Sequence, residues 1–215
     1  MKENLKSLFE GCWTIPNLLS LIRILLIPVF GVLFYQGEIA WAVVVLVLSG
    51  LTDFFDGKIA RRFNQISALG KILDPIADKL TQITIAVVIF LEFQKSTDPT
   101  IHWFKWVFLV FLFKELLMVI VGAIMLACGL RPGAAEIYGK VATFVFYAVM
   151  VLVIAFGPEI GALRAWFTLP TPAMVVLVIL SAVLTVVALL SYAPATFRQF
   201  KKNKQNSTPK KDTEE

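Results

Sequence analysis

The sequence predicts an all-α integral membrane protein with six transmembrane helices and a short N-terminal interfacial amphipathic helix. Of its 215 residues, 58% are hydrophobic and 16% are charged, whereas soluble domains are typically about 45–50% apolar and about 25% charged. The apolar residues fall in blocks of roughly 18–25, the length that a helix needs to cross about 30 Å of hydrocarbon. The composition therefore excludes an ordinary soluble domain.

Residues 1–13 predict a helix that lies in the membrane interface. Apolar side chains follow the spacing of one helix face, while the charged residues fall elsewhere. The segment ends on a tryptophan, a residue typical of headgroup depth. The apolar residues are Leu5, Leu8, Phe9, Cys12 and Trp13.

Six apolar segments within residues 14–196 each predict a transmembrane helix, and glycine, proline or charged residues separate them. Residues 197–215 are polar and highly charged, and they predict a disordered tail. The six predicted spans are about 15–35, 39–61, 70–93, 104–128, 138–156 and 173–192.

The positions of lysine and arginine predict the orientation of the chain in a cell membrane. Basic residues concentrate at both termini, in the 61–71 turn and in the 129–140 loop, whereas the 36–38 loop has none. Because cytoplasmic loops carry an excess of lysine and arginine, both termini and the 61–71 turn are expected in the cytoplasm. This placement explains the net charge of +5 without nucleic-acid binding.

Four aspartates stand at the cytoplasmic ends of the second and third predicted helices. Asp53 and Asp56 are three residues apart, and Asp74 and Asp78 are four apart, so each pair lies on one helix face. We expect the intervening turn to form an antiparallel hairpin in which the four carboxylates converge. Charges near hydrocarbon cost several kcal/mol unless they are paired, hydrated or metal-bound. The cluster therefore indicates a functional site rather than a set of helix-end charges.

Carboxylates without histidine or cysteine predict a site for hard divalent ions, Mg²⁺ or Mn²⁺. Two such ions about 3.5–4 Å apart would bind a pyrophosphate and stabilise in-line phosphoryl displacement. Gly57 would let a ligand approach the helix backbone, and Gly70 would do the same or permit the turn. Arg61 is a candidate for contact with phosphate.

The spacing of these residues resembles the full signature of the CDP-alcohol phosphatidyltransferase family. The resemblance implies six transmembrane helices, often in a dimer, so a homodimer is a candidate assembly. It also implies transfer of a phosphatidyl group, or another phosphoalcohol, from a CDP-alcohol to an acceptor hydroxyl with release of CMP. The pattern is Asp53-x₂-Asp56-Gly57-x₂-Ala60-Arg61-x₈-Gly70-x₃-Asp74-x₃-Asp78.

The resemblance also implies a role for each motif position. Asp53, Asp56 and Asp74 would hold two metal ions, with Asp78 as a further candidate ligand. Asp78 would be the general base that deprotonates the acceptor. The expected lining of the CDP site is Asp53, Asp56, Gly57, Ala60, Arg61 and Gly70.

Two stretches, "IPNLLSLIRILLIPVF" and "ARRFNQ…GKILDPIADK", resemble most closely the phosphatidylglycerophosphate synthases of that family. The expected substrates are then CDP-diacylglycerol in the bilayer and glycerol 3-phosphate as acceptor. Lys114, Lys140 and Arg131 are the candidates for binding the acceptor phosphate. Lys114 lies inside the fourth span, where a charge is costly. The alternative for Lys114 is an internal pair with a carboxylate, such as an aspartate of the cluster.

Other features weaken the case for glycerol 3-phosphate. The synthases usually have Arg-Glu-Phe where this chain has "KEL" at 114–116. A further basic residue is replaced by apolar sequence near Gly122, and a lysine is replaced by Ala142. The stretches "GLTDFFDG", "NQISALG" and "TIPNLLS" resemble the eukaryotic-type cardiolipin synthases, whose acceptor is phosphatidylglycerol. Taken together, the resemblances favour glycerol 3-phosphate as the acceptor, with phosphatidylglycerol as the alternative.

The first span carries a polar stripe of Asn17, Ser20 and Arg23, spaced three residues apart. It would either face the site and help to place a substrate, or form hydrogen bonds between packed helices. A function of another class, an ion-coupled transporter, would use the aspartates as an ion site. The carboxylates crowd one end of the helices rather than the midplane, and no inverted repeat is visible, which argues against a transporter.

Overall fold

The computed structural model describes residues 14–63, 67, 69–127 and 137–206, and every regular element in these ranges is helical. The predicted all-helical integral membrane fold is confirmed, while the predicted interfacial helix of residues 1–13 lies outside the described residues. The helices are α1 (Ile15–Tyr35), α2 (Ile39–Arg62), α3 (Gly70–Gln94), α4 (Pro99–Phe104), α5 (Phe108–Ala127), α6 (Ile137–Phe156) and α7 (Thr171–Asn206), with a 3₁₀ turn at Lys105–Val107 between α4 and α5.

Five stretches are long and apolar enough to cross a membrane, judged by length and composition. They are Ile15–Tyr35, Ile39–Asp56, Pro99–Met125, Ile137–Phe156 and Thr171–Pro194. The remaining long helix, α3, has 25 residues, which correspond to about 37 Å at 1.5 Å per residue. Its first half carries the aspartates and its second half is apolar, so it combines the length of a span with a polar end.

Two helix boundaries differ from the sequence expectation. The fourth span begins with a separate short helix, α4, in which Asp98 caps the N-terminus by accepting a 2.8 Å hydrogen bond from the Thr100 amide. The last helix continues to Asn206, so residues 197–206 are helical where a disordered tail was expected. Lysine, arginine and glutamine are good helix formers, and they extend a helix that the preceding apolar segment has already nucleated.

The first helix lies against both helices that carry the aspartates. It packs extensively along α2 and along α3, whereas direct backbone contact between the described parts of α2 and α3 is slight at most. Within the described residues the two motif helices therefore come together mainly through α1, and most of the turn that would join them as a hairpin lies outside the described residues. A tight turn at Gly37, whose φ of 82° favours glycine, reverses the chain and sets α1 beside α2. The polar stripe of α1 can thus reach carboxylates from two helices at once.

Buried aromatic pairs pack α3 against α5 and α5 against α6. Phe93 of α3 meets Phe108 of α5 edge to face at 5.5 Å between ring centroids, and Phe111 meets Phe146 of α6 at 5.0 Å. All four rings are buried, and such pairs typically add about 0.5–1.5 kcal/mol to the area term. Phe146 in turn contacts the ring of Tyr147, so this aromatic core continues up to the polar end of the molecule.

Candidate catalytic site

Three of the four motif aspartates form one compact cluster. Each of Asp53, Asp56 and Asp74 offers a carboxylate oxygen, and these oxygens all lie within 4.8 Å of one another. The side chains of Asp53 and Asp74 are about half exposed, at 50% and 49%, whereas that of Asp56 is buried at 4%. The cluster is therefore open on one side and enclosed by helices on the other.

The buried guanidinium of Arg23 lies among these three carboxylates. Its Nη1 is 2.5 Å from Asp53 Oδ1, and its Nη2 contacts Asp56 Oδ2 and lies 3.6 Å from Asp74 Oδ1. Arg23 belongs to α1, so one side chain joins carboxylates from two other helices. Sequence reasoning found Arg23 as part of a polar stripe but did not assign it to the aspartates.

The rest of the polar stripe on α1 touches the start of α3. Ser67 Oγ donates a 2.9 Å hydrogen bond to Asn17 Oδ1 and accepts one of 2.9 Å from the Gly70 amide. Ser20 Oγ is 3.5 Å from Asp74 Oδ1. The space that a Cβ at Gly70 would need is filled by the Asn17 amide oxygen. The expected packing role of the stripe is present, because its hydrogen bonds pack α1 on α3. Its last member, Arg23, enters the carboxylate cluster, and a role in placing a substrate stays a prediction.

The fourth motif aspartate, Asp78, stands apart from the other three. Gln82 Nε2 donates a 2.9 Å hydrogen bond to Asp78 Oδ2, and the Tyr147 hydroxyl donates one of 3.0 Å to Oδ1. Both carboxylate oxygens are therefore oriented by neighbours on α3 and α6. The expected cluster of four carboxylates is instead a cluster of three with a separately held fourth. Sequence reasoning missed Tyr147, whose only signal was a hydroxyl within an apolar span.

A second charged network lies next to Asp78, because Lys79 follows it directly on α3. The buried Glu115 carboxylate contacts two lysines. Its Oε2 is 2.9 Å from Lys79 Nζ, and its Oε1 contacts Lys114 Nζ. Lys114 Nζ is also 3.4 Å from Gln82 Oε1. The expected alternative for Lys114, a pair with a carboxylate, is present, but the partner is Glu115 rather than a motif aspartate. Lys79 was not among the candidates.

The polar residues of α3 follow a single helix face. Asp74, Asp78 and Gln82 are spaced four apart, so each stands about 6 Å below the previous one along the helix axis. The polar face of α3 thus runs from the carboxylate cluster through Asp78 to Gln82, and the Lys79–Glu115–Lys114 network lies beside Asp78 and Gln82.

The remaining candidates are only partly described. Gly57, Ala60 and Arg61 lie on α2 after the first aspartate pair, but their side chains fall outside the described part of the structure. Lys140 is exposed in the first turn of α6. Arg131 lies outside the described residues.

Comparison with known proteins places the chain in a family. The sequence profile of CDP-alcohol phosphatidyltransferase matches residues 13–187, which cover all the site residues described above. The chain belongs to the CDP-alcohol phosphatidyltransferase family. It is therefore a transferase of phospholipid biosynthesis and a multi-pass membrane protein, in agreement with the resemblance seen in the motif.

Relatives within the family have two different names. The chain is 36% identical over 162 residues to the cardiolipin synthase (CMP-forming) of Streptomyces coelicolor, with 72% of each chain covered. It is 55% identical over 75 residues to the human cardiolipin synthase (CMP-forming), which covers 34% of this chain and 25% of the human one. It is 46% identical over 88 residues to the CDP-diacylglycerol–glycerol-3-phosphate 3-phosphatidyltransferase of Salmonella typhimurium, which covers 39% of this chain and 47% of that protein.

The chemistry of the cluster fits divalent metal ions. Its ligand atoms are carboxylate oxygens, the donors that hard cations prefer. Three carboxylates outweigh the single charge of Arg23 by two units, so the cluster retains a strong attraction for cations. Asp53 and Asp74 are half exposed, which leaves an entry path from water.

We expect Mg²⁺ or Mn²⁺ to raise the thermal midpoint of the purified protein in detergent by about 5–10 °C at saturation. A ligand at 100 times its Kd stabilises by about 2.7 kcal/mol, and each kcal/mol shifts the midpoint of a protein this size by about 2–4 °C. Asp53→Asn should remove most of the shift, because Asp53 is a half-exposed member of the cluster.

The matched control is Asp98→Asn, which removes an aspartate that caps α4 outside the cluster. It should keep the full metal-induced shift, whatever its effect on the metal-free midpoint. A wild-type protein whose midpoint does not respond to either ion would contradict the metal site.

Proposed function

We propose that this protein transfers the phosphatidyl group of CDP-diacylglycerol to a hydroxyl of phosphatidylglycerol, giving cardiolipin and CMP. The observation that carries the reaction is the metal-compatible cluster of Asp53, Asp56 and Asp74 with an oriented carboxylate, Asp78, one helical turn beyond it. Two Mg²⁺ or Mn²⁺ ions held by the cluster would stabilise the charge that develops on the transferred phosphate.

The charge of the Lys79–Glu115–Lys114 network favours a lipid acceptor. Lys79 and Lys114 share the buried Glu115 carboxylate, so the three groups together carry one net positive charge. The phosphodiester of phosphatidylglycerol carries one negative charge, whereas the phosphomonoester of glycerol 3-phosphate carries close to two at neutral pH. One net positive charge neutralises the charge of the diester, whereas it would leave close to one negative charge of the monoester unneutralised.

The extent of similarity supports the same acceptor. The relative that the chain matches over 72% of both lengths is named a cardiolipin synthase, while the match to the glycerol-3-phosphate enzyme covers 39% of this chain. The sequence also lacks basic residues typical of the glycerol-phosphate enzymes near Gly122 and at Ala142. These observations favour phosphatidylglycerol over glycerol 3-phosphate, the acceptor that the sequence resemblances alone favoured.

Glycerol 3-phosphate is the second candidate acceptor. It is favoured by the intramembrane Lys114, by the exposed Lys140 and by the local identity to the Salmonella enzyme. In that case the product would be phosphatidylglycerophosphate, with the same donor, the same metal ions and the same leaving group. Arg131 stays a candidate contact for the acceptor phosphate under either proposal.

In the proposed mechanism Asp78 is the general base. The acceptor hydroxyl attacks the phosphorus that carries the diacylglycerol, and Asp78 takes the hydroxyl proton. The bond from that phosphorus to the CMP oxygen breaks, and CMP leaves. Gln82 and Tyr147 hold both oxygens of the Asp78 carboxylate in place. Gly57, Ala60, Arg61 and Gly70 would line the nucleotide site.

A site near the helix ends suits the position of the reacting group of the donor lipid. The pyrophosphate of CDP-diacylglycerol lies at headgroup depth while its acyl chains lie in the bilayer. The aspartates stand near the ends of helices that cross the membrane. By the positive-inside rule this end faces the cytoplasm together with both termini, so CMP would leave into the cytoplasm. A homodimer is the candidate assembly.

The product of the purified wild-type protein tests the acceptor. With CDP-diacylglycerol, Mg²⁺ and both acceptors in parallel reactions, we expect cardiolipin and equimolar CMP from phosphatidylglycerol, identified by mass spectrometry. Asp56→Asn should abolish both products, which excludes a contaminating enzyme. Phosphatidylglycerophosphate from glycerol 3-phosphate, without cardiolipin from phosphatidylglycerol, would establish the second candidate instead.

The contact between Tyr147 and Asp78 predicts a separation of kinetic effects. Asp78→Asn should lower kcat by about 10²–10⁴-fold, the range typical of a general base. Tyr147→Phe removes one hydrogen bond and should lower kcat by about tenfold, with the KM for CDP-diacylglycerol unchanged.

Tyr138→Phe is the matched control, because Tyr138 lies on the same helix and is exposed. It should retain the wild-type kcat. If Tyr147→Phe instead raised the KM for CDP-diacylglycerol with no loss of kcat, Tyr147 would not act through Asp78.

A further inference from the structure

The position of Arg23 is unusual for a charged side chain in a membrane protein. It lies about two turns inside the apolar span of α1, and its side chain is only 2% exposed. A charge at this depth is costly unless it is paired, and its partners are three carboxylates that belong to α2 and α3. Nothing in the apolar sequence around it explains its presence except these contacts.

The geometry requires the forked shape of a guanidinium. Nη1 contacts Asp53, while Nη2 contacts both Asp56 and Asp74, so two nitrogens hold carboxylates from two helices at once. Arg23 Nε is buried and has no hydrogen-bond partner among the described residues. The side chain therefore pairs with carboxylates through its two terminal nitrogens, while Nε makes no hydrogen bond to the described residues. A lysine ammonium offers a single point charge and no such fork.

Charge explains what this arrangement achieves. Three carboxylates with oxygens within 4.8 Å of one another would repel strongly without a cation between them. The positive charge of Arg23 neutralises one of the three negative charges. This reduces the repulsion among the carboxylates but leaves a net charge of two negative units to attract divalent ions. It also competes with those ions, because it contacts the same carboxylates that would bind them.

We propose that Arg23 is the built-in counter-cation of the cluster, a positioning residue that keeps Asp53, Asp56 and Asp74 converged without metal and weakens their hold on divalent ions. The cluster is thus assembled before an ion arrives, and ions exchange instead of being trapped. This inference rests on the metal site of the proposed function and holds for either acceptor.

The test compares Arg23→Met, which has a similar length without charge, with Arg23→Lys, which keeps the charge without the fork. Two quantities are measured on purified protein in detergent: the thermal midpoint in EDTA, and the Mn²⁺ concentration at half saturation from the EPR signal of free Mn²⁺. Arg164→Met is the control, since Arg164 lies in an exposed loop and contacts the Glu159 carbonyl outside the cluster.

We expect Arg23→Met to lower the midpoint in EDTA by about 10 °C, because removing one partner leaves buried charge uncompensated. The same variant should reach half saturation at about tenfold less Mn²⁺, because a competing positive charge is gone. Arg23→Lys should restore the wild-type Mn²⁺ affinity but only part of the midpoint. Arg164→Met should match the wild type in Mn²⁺ affinity.

If Arg23→Met cannot be isolated in EDTA, purification in Mn²⁺ should recover folded protein, because the ions neutralise the same carboxylates. Failure of Mn²⁺ to recover it would overturn the proposal, as would unchanged or weaker Mn²⁺ binding by a folded variant. Wild-type protein that binds no Mn²⁺ would overturn the proposed metal site as well. Normal wild-type binding with an unaffected Arg23→Met would overturn the role of Arg23 alone.

Discussion

The contact of the Arg23 guanidinium with three carboxylates is the interaction on which the rest of this structure depends. It draws α1 between the two helices that carry the aspartates, and the hydrogen bonds of Asn17 and Ser20 extend the same contact surface. Without such a cation, carboxylates from α2 and α3 would have to approach one another against their repulsion. The same contacts therefore pack the first helix and bring the carboxylates of the site together.

The polar residues divide into an upper and a lower level, and each level suits one part of the proposed reaction. The upper level is an excess of negative charge at the helix ends, suited to metal ions and a diphosphate. The lower level, built on Glu115, is a slight excess of positive charge, suited to the phosphate of an acceptor. Asp78 directly precedes Lys79 on α3 and is held by Gln82 and Tyr147.

Much of the fold and part of the site follow from the sequence, because both depend on spacing within a single helix. Apolar runs of spanning length predicted the helices, and the three- and four-residue spacings placed each aspartate pair on one face. Spacing within a helix does not determine which helices become neighbours. For this reason the position of α1 against both motif helices was not foreseen, and the contacts of Arg23, Tyr147 and Lys79 were missed. Lys114 was found because an intramembrane charge is conspicuous, but its partner lies next to it on the same helix.

The coupling between Arg23 and Asp56 is the most direct measure of whether this interaction organises the site. Thermal or denaturant unfolding in EDTA of Arg23→Met, Asp56→Asn and the double variant forms a double-mutant cycle. The account predicts that the double variant is more stable than the sum of the single losses allows, by about 1–3 kcal/mol, because neither change then leaves the other charge unpaired. Losses that add within about 0.5 kcal/mol would contradict it, since the two residues would then be held by other parts of the structure.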